Sequence, residues 1–252
     1  MGVKQSMAEI ALASTWMLLP AFVSAQPPLA DRVVEPLGLD DAAFFVHPDI
    51  SQSHFRFVVT MLTRSARVPV GFEEVVQEPQ THDGNLAKVP IEKRTPLIGL
   101  IVAEALDALV AADHRYTWRE QDGMLLIRPV EVWNETTDLL DEPVQPIDER
   151  QRPPMDILTR LYSRRRLSTL SSSGGTIGNP TQRTSVLNQP ISVTLPAPTM
   201  LDLLNAITKS HGQLSWMVAS VRAPEGLKTS CVYLITFDGQ FKGIGGDCGG
   251  GF

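Results

Sequence analysis

Apolar positions along this chain alternate between helical and strand-like spacing, and the whole sequence of patterns occurs twice. Phe55, Val58, Val59 and Leu62 recur at helical intervals, with Ser51 or Ser53 placed to cap the helix. Residues 68–72 then read as a short strand, which Pro69 assigns to a sheet edge. After a polar loop at 77–85, residues 88–92 predict another strand, with Pro90 again blunting an edge. Val102, Ala105, Leu106, Leu109 and Val110 fill i, i+3, i+4, i+7 and i+8, so one face of this helix is buried. Tyr116 and Trp118 alternate with Thr117 and Arg119, Asp122-Gly123 supplies a primed hairpin turn, and 124–127 return as the partner strand before Pro129.

The second pass opens at Pro153-Pro154, where proline suits a first helical turn, followed by an apolar stripe of Ile157, Leu158, Leu161 and Tyr162. Residues 168–185, rich in Ser, Gly and Thr, predict a long flexible loop. Residues 191–195 alternate as a half-buried strand, and Thr199 with Asp202 forms a carboxylate variant of the capping box. Met200, Leu203, Leu204 and Ile207 repeat the first helix stripe. Leu214, Trp216 and Val218 repeat the aromatic strand, which returns at 232–237 through a longer loop. Ala105-Leu106-Asp107-Ala108-Leu109 is answered by Leu203-Leu204-Asn205-Ala206-Ile207, and Leu106 to Trp118 is as long as Leu204 to Trp216. A duplicated unit explains this match.

The pattern predicts an α+β fold of two small related domains, each with two helices packed on short mixed sheets. The first spans 51–130 and the second, divergent one 153–238, joined by an acidic, proline-bearing linker at 131–152. A proline-rich linker occupies 26–50, with Phe44-Phe45-Val46 as its apolar cluster, suited to an edge strand. A glycine-rich tail covers 239–252.

Ahead of these, 1–25 reads as a secretory signal peptide: Lys4 lies in the n-region, 10–23 is mostly apolar, and Val23-Ser24-Ala25 offers small residues for cleavage. The expected location is therefore periplasmic or secreted, a compartment that tolerates disulfides. The chain holds two cysteines, Cys231 and Cys248, which either pair, closing the tail onto a strand, or stay as a buried small residue and a free thiol. The formal net charge of −6 disfavours generic nucleic-acid binding.

The phrase Glu104-Ala105-Leu106-Asp107-Ala108-Leu109, Tyr116-Thr117-Trp118 and Asp122-Gly123-Met124-Leu125-Leu126-Ile127 resembles the short N-terminal domain shared by secretins and TonB-dependent transducers. The second unit resembles it through Val193-Thr194-Leu195, Leu203-Leu204-Asn205-Ala206-Ile207 and Leu214-Ser215-Trp216. Coverage is good over 55–128 and partial over 153–237. The chain departs from the family in lacking the ring domains and strand arrays of a pore or receptor after the repeats. The resemblance implies periplasmic α+β modules that contact other proteins, with two helices packed between small sheets.

Few residues invite chemistry. His47-Pro48-Asp49 with His54 fits no standard zinc spacing, His82-Asp83 sits beside a turn glycine, and His114 and His211 occupy equivalent helix ends where imidazolium suits the dipole. There is no Gly-x-Ser-x-Gly elbow or cysteine-protease signature, and Gly243-Ile244-Gly245-Gly246 lacks the Lys-Ser/Thr of a phosphate loop. Arg164, Arg165 and Arg166, with Arg160, form the one concentrated basic patch, a candidate contact for an acidic partner surface or anionic headgroups. Trp118 and Trp216 are expected as core anchors. The sequence thus predicts a non-catalytic interaction or scaffold module of the cell envelope, with an envelope protein partner, no cofactor, no metal, no nucleic acid and at most peripheral membrane contact. The alternative is a small extracellular hydrolase or solute-binding module with its site in the cleft between the units.

Overall fold

A computed structural model of the protein describes residues 28–38, 44–48, 50–74, 89–133, 139–164, 171–176, 186–222 and 228–245. The fold is α+β. Its first half comprises β1 (Phe45–Val46), α1 (Gln52–Ala66), β2 (Val70–Glu73), β3 (Thr95–Pro96), α2 (Val102–Ala112), β4 (Tyr116–Gln121) and β5 (Met124–Pro129). Its second half comprises β6 (Ile147–Arg152), α3 (Pro154–Arg164), β7 (Ser171–Thr176), β8 (Ile191–Leu195), α4 (Met200–His211), β9 (Leu214–Arg222), β10 (Lys228–Thr236) and β11 (Gln240–Gly245).

Local signals explain most of these elements. Ser51 Oγ accepts the His54 N–H at 3.2 Å and starts α1. Thr199 and Asp202 cap α4 reciprocally, a device that stabilises a helix end by about 1 kcal/mol. Asp122 and Gly123, with φ of 52° and 72°, form the tight turn between β4 and β5, where both central residues of a type I′ turn need positive φ.

The two halves do not build separate sheets. One seven-stranded sheet runs β4-β5-β2-β9-β10-β11-β7, and β2 lies parallel to both β5 and β9, so it joins the first half to the second. The expected pair of separate small domains is therefore not confirmed. Two-stranded ribbons, β1-β3 and β6-β8, complete the architecture. Side chains alternate cleanly across the main sheet: Leu125, Ile127, Met217 and Tyr233 face a core with α1 and α2, while Leu126, Trp216, Val218 and Leu234 face a core with α3 and α4. Each pair of helices thus packs between a ribbon and one face of the sheet.

Relative to the first half, the second reverses its strands, since the chain of pairings runs β9 antiparallel to β4, and places its helices on the opposite face. A half turn about an axis along the sheet, perpendicular to its strands, together with a shift along that axis, relates the two. Strand β11 is an insertion in the second half, between β10 and β7.

Several expectations are corrected. Strand β2 is central, not an edge: Pro69 precedes it, where a missing N–H costs no ladder bond, and its carbonyl still accepts the Leu125 N–H at 3.0 Å. Pro90 precedes a 3-10 turn at Ile91–Lys93 where a strand was expected, and the strand comes later, as β3. The 26–50 linker contributes β1, and the 131–152 linker contributes β6. The Ser/Gly-rich loop at 168–185 contains β7, and the glycine-rich tail begins with β11, because backbone pairing needs no apolar side chains. The segment expected to be a signal peptide, 1–25, lies outside the described residues. Among the described residues no helix is long and apolar enough to cross a membrane.

Candidate interaction edge

The duplicated tryptophans occupy matching local sites. Trp118 Nε1 donates to Asp107 Oδ1 at 2.8 Å, and Trp216 Nε1 donates to Asn205 Oδ1 at 2.9 Å. In each case the indole on a strand reaches the same position of the preceding helix. Their wider surroundings differ. Trp216 is 1% exposed, whereas Trp118 is half-buried and packs only against the margin of its core.

The strand lying on β9 accounts for the difference. Gly71 of β2 is in register with Trp216, and a Cβ on Gly71 would lie 2.3 Å from Trp216 Cζ2 and 2.8 Å from Leu126 Cδ2. Only glycine lets the β2 backbone cross the indole at this separation. Ser215 adds a polar tie, its Oγ accepting the Val70 N–H at 2.9 Å, and the Glu74 N–H reaches the Val218 carbonyl at 2.8 Å.

Two consecutive buried carboxylates fix the end of β2, one on each face of the sheet. Glu73 accepts from Arg128 Nε at 2.7 Å, and Arg128 reaches Asp141 at 3.4 Å. Both carboxylate oxygens of Glu74 accept from Arg56 Nη2, at 2.7 and 2.9 Å, and Arg56 Nε adds a bond at 3.2 Å. Burial pushes the Glu74 carboxyl above the usual carboxylate range, and Arg56 opposes that shift. Burial works against the Arg128 charge, but Glu73 and Asp141 outweigh it and raise its pKa. Removing one partner of such a pair costs about 3–5 kcal/mol, so these groups hold β2 in place. None of these five residues stood out from the sequence, although Glu73-Glu74 directly after an apolar strand was a visible signal.

At the far side of the first half, β4 is an open edge: among the described residues it pairs only with β5. The Val130 N–H bonds to the Arg115 carbonyl at 2.9 Å, and the two-residue turn closes the other end. The alternation of an antiparallel ladder then bonds Thr117, Arg119 and Gln121 to β5 and turns the backbone groups of Trp118 and Glu120 outward. These correspond to Trp216 and Val218 on β9, where the Val218 carbonyl faces β2. The free side of β4 is thus the counterpart of the side of β9 that β2 occupies. Glu120 is exposed, and Arg119 lies over the Trp133 ring at 4.2 Å.

The remaining candidate residues fall elsewhere. Arg164 ends α3, and Arg165 and Arg166 lie outside the described residues; Arg160 makes an exposed pair with Glu149 at 3.4 Å, worth little energetically. Cys231 is buried on β10 and disulfide-bonded, and Cys248 lies outside the described residues. His82 and Asp83 also lie outside them. The rings of His47 and His54 come within 5.5 Å of each other. Among the described residues no group of three or more His, Cys, Asp or Glu is placed to hold a metal ion. His54 Nε2 donates to the Phe45 carbonyl at 2.7 Å, leaving a buried Nδ1 with no partner among the described residues. Burial lowers the His54 pKa, the Phe45 bond opposes this, and His47 adds to it. His211 Nε2 contacts the Val186 carbonyl at 2.8 Å. Where the cleft between the units was expected, β2 and β9 pair directly. No family model, curated protein or solved structure matches this chain.

Proposed function

We propose that this protein is a non-catalytic interaction module of the cell envelope that receives a partner strand on the open edge of β4. One observation carries the reading. The chain already makes this kind of contact internally, where β2 lies on β9 over Trp216, and β4 presents the matching side of a matching strand with Trp118 only half-buried. Strand addition uses main-chain hydrogen bonds for affinity and side-chain pockets for choice of partner. The leader-like segment at 1–25 and the resemblance to the short domain of secretins and TonB-dependent transducers support the envelope setting.

The test replaces an outward backbone donor without disturbing the β4–β5 ladder. Glu120→Pro removes an N–H that faces away from β5, a position where an edge strand tolerates proline. Tagged wild-type protein is expected to capture an envelope protein from extracts, and Glu120→Pro, folded by circular dichroism, is expected to lose it. Equal capture by both forms overturns the reading.

A further inference from the structure

The second half carries its own counterpart of β2. Strand β7 follows α3 as β2 follows α1, and it runs parallel to β10 as β2 runs parallel to β5. Its outer side is the last edge of the main sheet among the described residues. The two ends of the sheet therefore present the two partners of the internal joint: β7 stands for β2, and β4 stands for β9.

Directions agree as well. Following the pairings from β4 through to β7, both end strands point the same way, so a second copy in the same orientation would meet β7 with its β4 in parallel, as β2 meets β9. The helices of that copy would keep alternating faces along the extended sheet. Sequence supports the fit. The internal joint requires a glycine against the indole, Gly71 against Trp216, and β7 contains Gly174 and Gly175. Ser215, which receives the Val70 N–H, is matched on β4 by Thr117, the hydroxyl residue before Trp118.

Resting on the proposed role of the β4 edge, we infer that its partner is β7 of a second copy of this chain, added head to tail so that one of the two glycines crosses Trp118. The interface is heterologous, so each copy keeps one free end and the assembly extends until the ends are blocked or meet.

Sedimentation velocity of the purified protein over a range of concentrations tests this. Wild type is expected to gain mass with concentration, to about twofold and beyond. Glu120→Pro, blocked at β4, and the double variant Gly174→Val/Gly175→Val, blocked at β7, are each expected to remain monomeric. Mixed together they are expected to form a dimer and stop there, because one supplies a free β7 and the other a free β4. If the glycine variant fails to fold, Ser172→Pro and Ser173→Pro, made singly, replace it, since one of the two removes an outward N–H from β7. A wild type that stays monomeric at every concentration overturns the inference, as does association that survives in Glu120→Pro alone. Envelope capture that is lost in Glu120→Pro while wild type remains monomeric leaves the edge reading standing and removes only the second copy as partner.

Discussion

Trp118 and Trp216 sit on equivalent strands, bond to equivalent helix positions and yet end up half-buried and fully buried. Each half supplies its tryptophan with a helix partner, but neither half buries it alone. Trp216 is covered because β2 arrives from the other half with Gly71 at the crossing point. Trp118 has no such neighbour among the described residues. The comparison teaches that the strand edge, rather than the repeated tryptophan phrase, decides how much of the indole leaves water.

The largest expected difference comes from deleting the two rings. Trp216→Ala is expected to cost about 3–5 kcal/mol in urea unfolding. Trp118→Ala is expected to cost about 1–2 kcal/mol, in line with partial burial. Equal costs would break the comparison.

A smaller effect isolates the crossing itself. Gly71→Ala is expected to destabilise by about 1–3 kcal/mol, because the new methyl group overpacks against the Trp216 ring. Pairing it with Trp216→Leu should recover part of that loss in a double-mutant cycle. Additive costs would mean that the two residues do not meet.

The smallest effect separates the two ribbons by pH. Burial lowers the folded pKa of His54 from its ordinary 6.5, so its share of stability is fully present above that value and is lost as pH falls through the folded pKa. Protonation places an N–H at Nδ1 with no acceptor among the described residues. Among the described residues no hydrogen bond joins a histidine to β6 or β8, whereas His54 bonds to the Phe45 carbonyl of β1. Hydrogen exchange on acidification should therefore release β1–β3 before β6–β8, and His54→Gln should remove the difference. Simultaneous release of both ribbons would count against it.

Much of the local structure was legible beforehand. The apolar stripes gave α2 and α4, Thr199 with Asp202 marked a helix start, and Asp122-Gly123 marked a hairpin, because each signal acts within a few residues. Both tryptophans were expected as core anchors, which describes Trp216 but not the half-buried Trp118, although each bonds to its own helix. Strand β2 was misread as an edge since Pro69 precedes a strand whose neighbours come from distant parts of the chain. Strands β7 and β11 were invisible for another reason: glycine and serine carry little strand propensity, and such strands exist because their backbone groups pair. At the candidate edge, the Trp118 phrase was plain in the sequence, but its exposure was not.

The sequence by itself determined the repeated helix stripes, the helix cap and the hairpin turn, since these depend on periodicity and short spacing. The tertiary structure alone decided that the two units share one sheet, that the second is turned over relative to the first, and that β4 pairs only with β5 among the described residues. Those outcomes depend on which backbone edges meet, and backbone groups are the same in every residue except proline, so no side-chain pattern encodes the choice directly.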